Sequence, residues 1–468
     1  QATYVNPSRE RFRGVFVSDS VEPIAVQRGE APGAGISYLL FGTPVVNRSG
    51  DLAFAALLDA ENPESGLWVR RSGVLSLVFR ASQPVIGSSA SRVFLDGVTN
   101  IALADNGDLF FTALRSEPVP EGTDPEDEEV VPQVFSLWRQ NSSGQIAQLL
   151  STGSLIGVGS GQDRVVNKIT AFGAMPDTPG QRRGFNKNGD LVVRVDFTDQ
   201  TAALVKFTSG SLTPVVVLKT GSQNLAGESV NIGNLGLVSL GDDGGMVVRI
   251  GLVQDGTGVT PDNDQMLVAI SNTSVATILA QEGDQITAGG NAVVLKSVGN
   301  PVGGQAGGYA FVGSISAVPA EGQTTSPVAD PVILRKNGSG FDILARRGGT
   351  VPGVTGAQFN QIRSLAWPGN GGDYGPAFVA SLKAGGGVTS ANDVGLWAQN
   401  SGGTVVLLLR EGDTLLSGAD KKTVRLFSVL SAVSGSASQG HSTVGEGTYA
   451  VRVVFTDLTE AVINVSVP

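Results

Sequence analysis

One histidine and no cysteine set narrow limits on the chemistry open to this 468-residue chain. His441 lies in Gln439-Gly440-His441-Ser442, a Gly/Ser-rich stretch that reads as an exposed loop. A Ser-His-Asp triad would have to use it. With no second histidine and no thiolate, a transition-metal site lacks its usual ligands, and neither a cysteine nucleophile nor a disulfide can form. Carboxylates are plentiful, but a glycosidase needs two of them facing one another across a site. No spacing in this sequence singles out such a pair, and no catalytic residue is assigned. Calcium is the one cofactor with any oxygen ligands on offer. They cluster in Asp105-Asn106-Gly107-Asp108, in Asn186-Lys187-Asn188-Gly189-Asp190 and in the acidic run Asp124-Pro125-Glu126-Asp127-Glu128-Glu129. None has the distal bidentate glutamate of a dedicated loop. Asn-Gly and Asp-Gly more simply serve tight turns, because both tolerate positive φ.

Four residues stand out as candidate ligand contacts. Trp367 precedes Pro368-Gly369-Asn370-Gly371-Gly372 and reads as a loop aromatic. Arg194, Arg249 and Arg452 share one position in a recurring apolar strand. An arginine there needs a partner, so these three either line a channel or pair with carboxylates such as Asp196. Trp68, Trp138 and Trp397 recur at one place in three repeats and read as packing residues. Five Asn-x-Ser/Thr sequences begin at Asn47, Asn141, Asn272, Asn337 and Asn464, and turn composition alone accounts for them.

The elements that must position these residues form a repeat. A short apolar strand recurs seven times: Ala53–Leu58, Phe110–Arg115, Val192–Phe197, Val247–Leu252, Ala310–Ile315, Ala377–Leu382 and Ala450–Phe455. The mean period is about 66 residues. Each repeat adds a strand of the Leu-Trp type, a β-branched and leucine run, and a weaker strand such as Tyr38–Phe41. No segment keeps a helical period beyond two turns. Four strands per repeat, seven times over, predict an all-β fold: a single β-propeller of seven blades. A β-helix would repeat at shorter intervals, and tandem sandwiches need about 100 residues each. The Leu-Trp strand has an eighth partial copy, Ala461–Val465, which predicts closure of the ring by N- and C-terminal strands sharing a blade. The expected organisation is an N-terminal arm over 1–13 and a propeller over 14–468, with an acidic loop inserted at 117–132.

Composition agrees with a folded, acidic, turn-rich protein. Gly accounts for 64 residues and charged residues for 16%, with a formal net charge of −10. Such a chain has nothing to neutralise a run of phosphates, so nucleic acid is not an expected partner. No apolar run is long enough for a membrane helix. The first residue is Gln1 rather than Met, as in a mature chain freed of a signal peptide.

The turn Asn47-Arg48-Ser49-Gly50-Asp51-Leu52-Ala53-Phe54 resembles the Asn-x-x-Gly-x-x-Ala-Phe tandem-repeat family of exported bacterial proteins, which carry a choice of C-terminal anchors. Related copies are Asp105–Phe111, Asn186–Val193 and Asp242–Val248; the copies at Gly307–Phe311 and Gly372–Phe378 depart upstream of the strand. The final residues, Val465-Ser466-Val467-Pro468, look like the point where a Val-Pro-Glu-Pro sorting signal of such proteins begins. The resemblance implies an extracellular or cell-surface location and brings no activity. The expectation is therefore a secreted, non-enzymatic structural or adhesive module, binding an extracellular polymer such as surface polysaccharide, or other surface proteins. Its terminal strands could also pair between subunits into a homo-oligomer or filament. The alternative is a carboxylate-based carbohydrate-active enzyme with its site in the propeller channel.

Overall fold

The computed structural model describes residues 2–5, 11–15, 23–85, 94, 98, 100–116, 133–159, 161–171, 184–256, 258–303, 308–319, 328–367, 374–415, 421–429, 443–445 and 447–468. Among these residues every regular element is a strand. The fold is all-β, of the propeller type: a succession of sheets made of neighbouring stretches of chain, antiparallel but for one parallel pairing of Ala288 with Phe341. The chain divides into two compact units. One comprises Gln1–Phe172, Lys187–Val216 and Val433–Ser438, and the other Gly173–Asn186, Val217–Ala432 and Gln439–Pro468. His441 and the acidic loop 117–132 lie outside the described residues.

Eight sheets are present among the described residues. The first holds Ala2–Val5, Arg11–Val15 and Ala25–Val26. The second runs Tyr38–Phe41, Leu52–Leu58, Glu64–Arg71, Val74–Arg80, and the third Ile101–Leu103, Leu109–Ser116, Gln133–Gln140, Ile146–Ser151. The fourth is built around Leu191–Phe197 and Ala202–Phe207. The fifth contains Glu228–Leu240, Met246–Leu252, Gln265–Ile270 and Ala276–Gln281. The sixth contains Asn291–Gly303, Tyr309–Ala317, Asp330–Asn337 and Gly340–Arg346. The seventh runs Phe359–Ala366, Ala377–Leu382, Val394–Gln399, Val405–Arg410. The eighth contains Lys422–Val429, Thr448–Phe455 and Glu460–Ser466.

At the N-terminal end, Ala2–Val5 pairs antiparallel with Arg11–Val15. The C-terminal strand Glu460–Ser466 pairs with Thr448–Phe455, from Thr448↔Ser466 to Val454↔Glu460. A blade shared by the two ends is not among the described pairings. Each terminal strand finds its ladder partner locally.

The recurring apolar strand and the Leu-Trp strand are direct neighbours. Phe54 stands opposite Trp68, Phe111 opposite Trp138, and Phe378 opposite Trp397. In each pair the rings lie nearly parallel, at 16°, 11° and 15°. Such cross-strand aromatic pairs are a unit of sheet stabilisation. All three tryptophans are buried, so they are core and not sugar platforms. Two of them are also anchored: the Trp68 indole N–H donates to the Pro32 carbonyl at 3.0 Å, and that of Trp397 to the Pro352 carbonyl at 3.1 Å.

The Gly-Leu-Trp spelling has a steric cause. A Cβ at Gly66 would sit 2.5 Å from the Trp68 ring, and one at Gly395 would sit 2.4 Å from the Trp397 ring. The indole folds back over the glycine two residues earlier. Opposite the same tryptophans the outer strand slips register, between Leu67 and Trp68, Leu137 and Trp138, and Leu396 and Trp397. The slip recurs at Leu267/Val268 and Ile333/Leu334, where no tryptophan is present. It is a β-bulge built into the repeat.

Candidate functional site

The turns before four of the apolar strands, at 47–51, 104–108, 186–190 and 241–245, share a pattern that does more than reverse the chain. Its fourth residue is a glycine with positive φ: +80° at Gly50, +85° at Gly107, +86° at Gly189 and +80° at Gly244. Its first residue, where it is asparagine, ties one sheet to the next. The Asn47 side-chain amide donates to the Ala104 carbonyl at 3.1 Å, and that of Asn186 donates to the Gly241 carbonyl at 3.0 Å. Ala104 and Gly241 hold the first position of the following turn. Asn47 is buried and also accepts the Asp51 N–H at 2.9 Å. Its sequon is therefore not displayed to solvent.

The fifth residue of the turn is an aspartate that braces the neighbouring hairpin. Asp51 accepts the Ser72 N–H and Asp190 accepts the Ser209 N–H. Asp108 pairs with Arg139 at 2.7 Å, with both side chains largely buried. Arg71 reaches across from the second sheet to the Gly107 carbonyl at 2.8 Å and to Gln140 at 3.0 Å. Burial pushes its guanidinium down from the ordinary value, against the pull of Asp51 and Asp108. Where the first position is Ala104, backbone takes over: the Asp105 and Asn106 N–H groups both donate to the Lys187 carbonyl. Asn106 adds bonds to the Asn188 carbonyl and to Ser209, and Asp105 accepts the Arg48 N–H. These are the oxygens that offered themselves as calcium ligands in the sequence. They serve protein donors.

The turn Gly241-Asp242-Asp243-Gly244-Gly245-Met246 lacks both devices. Glycine stands at its first position and again at its fifth. Just before this turn, Ser239 Oγ accepts the Gly303 N–H of the sixth sheet at 2.8 Å. A cleft of about 270 Å³ opens here. Its lining includes Met246, Val247 and Ile270, all buried, and Ala269, half-buried. Asp243, Ser271, Val275 and Thr277 form an exposed rim, and Gly303 and Gly308 supply the opposite wall. Asp243 is oriented by the Gly245 N–H, which donates to its Oδ1 at 3.0 Å. The described lining is apolar below, with one carboxylate at the mouth and no cationic side chain.

The four residues singled out from sequence lie elsewhere. Trp367 is buried at 8% exposure, donates its indole N–H to the Tyr374 carbonyl at 3.0 Å and covers Gly308 with its ring. It is a packing residue, not a displayed aromatic, because the backbone of Tyr374 satisfies its polar edge. The Arg335 guanidinium lies 5.6 Å from its ring centroid. Arg194 pairs with Asp196 at 2.9 Å. Arg249 donates to the Val298 carbonyl at 3.4 Å. Arg452 makes a bidentate pair with Glu460 at 3.0 and 2.7 Å. Arg194 and Arg452 are engaged within their own sheets, and Arg249 reaches the sixth. The residues that sequence reasoning passed over are Gly241 and Gly245. Their signal was present as a departure from the Asn and Asp of the sister turns.

Comparison with solved structures gives distant matches. The β-propeller domain of the Trilobed protease from Pyrococcus furiosus is 8% identical, with a TM-score of 0.38; the match covers 92% of this chain and 96% of that one. An acylaminoacyl peptidase from Pyrococcus horikoshii is 10% identical with a TM-score of 0.34, over 90% of this chain and 52% of that one. An ulvan lyase of a new polysaccharide lyase family is 12% identical with a TM-score of 0.31, over 92% and 95%. The expectation of a non-enzyme finds no support in these matches, whose sources are peptidases and a polysaccharide lyase, and none of them carries an activity over to this chain. No curated protein matches the chain. A family of unknown function matches residues 2–213 and again 204–468, so that both halves of the repeat array are recognised, and the chain belongs to that family, DUF7453.

Proposed function

We propose that this chain is a secreted or cell-surface binding module that holds a group of an extracellular polymer or surface protein in the cleft at the turn end of the fifth sheet. The observation that carries this reading is the pairing of a motif departure with a cavity. The turn with glycine in place of the sister turns' Asn and Asp borders an open cleft lined by both apolar and hydroxyl side chains. Pockets with apolar lining and a few placed polar groups are the usual form of ligand sites. The resemblance of the Asn47–Phe54 turn to exported tandem-repeat proteins supports the location.

The test uses the full chain immobilised against a mixed library of glycans, peptides and small fragments. Ligands are expected that bind the native chain and are lost in Gly241→Asn, which puts back the side chain of the sister turns. Ligands that bind both proteins equally would overturn the assignment to this cleft.

A further inference from the structure

We infer that Asn337 is a self-modification site: its side-chain amide is lost to cyclisation on the Gly338 nitrogen, and the products, aspartate and isoaspartate, loosen the closure of the sixth sheet. Four Asn-Gly pairs occur in the chain, at 106, 188, 337 and 370, and Asn370 lies outside the described residues. The other three differ in how far the fold locks them. Asn106 donates its amide to Asp108, to the Asn188 carbonyl and to Ser209, and accepts the Asp108 N–H. The nitrogen that would attack it, on buried Gly107, donates to the Ala104 carbonyl at 3.1 Å. Gly189 is buried against Asn106, and a Cβ there would lie 2.6 Å from the Asn106 amide. Asn337 and Gly338 are exposed. They open the tight turn between Asp330–Asn337 and Gly340–Arg346, in which Asn337 stands opposite Gly340. The Gly338 N–H has no acceptor among the described residues, and a Cβ on Gly338 would meet nothing within 4 Å. The described bond on the Asn337 side chain runs from its amide to Asp342 at 2.9 Å.

In the reaction the Gly338 nitrogen bonds to Asn337 Cγ and the Cγ–Nδ2 bond breaks. Nδ2 leaves as ammonia, carrying the proton from Gly338. Water then opens the cyclic imide at either carbonyl. One opening gives aspartate, and the other gives isoaspartate, whose main chain runs through Cβ and Cγ. Either product sets a second carboxylate beside Asp342, where an amide donated before. Isoaspartate also adds a methylene to a turn whose length fixes the hairpin register. The next residues close the sheet. Ala288 pairs in parallel with Phe341, the Gly289 N–H donates to the Phe341 carbonyl at 3.0 Å, and a Cβ on Gly340 would lie 3.0 Å from the Thr287 carbonyl oxygen. The reaction needs no enzyme and runs one way, so it marks the age of the chain.

The full chain is aged in mildly alkaline buffer, both native and in urea. Peptides covering Asn106 and Asn337 are followed by mass spectrometry for the amide-to-acid gain and for isoaspartate. In the native chain Asn337 is expected to convert about tenfold faster than Asn106, the ratio that about 1.4 kcal/mol of extra barrier gives. In urea the two rates should come level. A native ratio near one would overturn the assignment. So would a ratio in urea as large as the native one, because the difference would then lie in the neighbouring sequence and not in the fold. Hydrogen exchange of the Gly289 N–H reads the consequence. It should quicken in step with conversion of Asn337. In aged Asn337→Gln, whose longer side chain cyclises far more slowly, it should stay at its starting rate, with melting temperature of the fresh proteins as a check on folding. Conversion that leaves Gly289 exchange unchanged would overturn the loosening of the sheet.

Discussion

The junction between the second and third sheets and the junction between the fifth and sixth begin from the same kind of turn and end differently. In the first, Asn47, Arg48 and Arg71 all reach into the following sheet, while Asp108 and Arg139 form an ion pair beneath them. In the second, the Gly303 N–H donates to Ser239 Oγ and the Arg249 guanidinium to the Val298 carbonyl. The glycine that reverses the turn is present in both, with the same φ of +80° at Gly50 and Gly244. Chain reversal and sheet-to-sheet fastening are thus separable tasks within one motif. The turn of the fifth sheet keeps the reversal without the asparagine and aspartate of its sisters, and a cleft borders it.

The closed junction is broken most severely through its ion pair. Arg139→Met should destabilise the chain by about 3 kcal/mol, because it leaves Asp108 buried and without its cation. Chemical denaturation reads this directly. A loss below about 1 kcal/mol would mean that Asp108 finds water, and that this junction is as open as the other.

Next in size is Gly66→Ala. The added methyl would lie 2.5 Å from the Trp68 ring, in a core stacked on Phe54. Overpacking of this kind costs about 2 kcal/mol. Gly395→Ala should behave alike at Trp397, and a neutral result at both would show that the indoles can swing aside.

The two junctions can then be exchanged. Asn47→Gly gives the closed junction the first residue of the open one, and should cost about 1.5 kcal/mol through the lost bond to the Ala104 carbonyl and the orphaned Asp51 N–H. Gly241→Asn runs the other way and is expected to raise stability by about 0.5–1 kcal/mol, partly by restricting the unfolded chain. A stabilising substitution that also removes ligand binding would separate folding from function at one position.

How much of this could be read from the sequence depends on what kind of signal carried it. The seven apolar strands were legible because each lies between sheet faces and carries apolar residues on both sides. The antiparallel meanders followed from turn chemistry at Asn-Gly and Asp-Gly. The partnership of Trp68 with Phe54 was not legible, because register depends on turn length and on a bulge that leaves no mark in composition. Trp367 misled for a related reason: it stands beside a Gly-rich stretch, yet its indole is satisfied by the Tyr374 carbonyl, a contact that no local pattern encodes. The cleft is the reverse case. Gly241 and Gly245 were visible as departures from the repeat, but a missing side chain gains meaning only once its sisters are seen to reach into the next sheet.

At the opposite end of the fifth sheet, Glu282 offers a smaller test with a pH signature. Burial, then Asp264 and Asp262, push its carboxyl above the ordinary value. The folded state therefore favours the protonated form. Stability from this group is full below the unfolded pKa and is lost as pH rises through the raised folded value. Glu282→Gln should raise the melting temperature at pH 7 and change it little at pH 3.5. An equal rise at both values would place the strain in packing rather than charge.

The smallest effect is expected at Arg452, and it sharpens the contrast with Arg139. Both are arginines paired with a carboxylate at 2.7 Å. Arg452 and Glu460 are 47% and 52% exposed, against 11% and 4% for Arg139 and Asp108. Water already solvates the exposed pair, and salt screens it, so its net worth is about 0–0.5 kcal/mol despite bidentate geometry. Arg452→Ala should leave the denaturation midpoint nearly unchanged in 0.5 M salt. If it instead cost as much as Arg139→Met, Glu460 would have to be sheltered in solution by something packed over the last strand. A second copy of the chain is the first candidate for that cover, and light scattering on Arg452→Ala against the native chain would identify it.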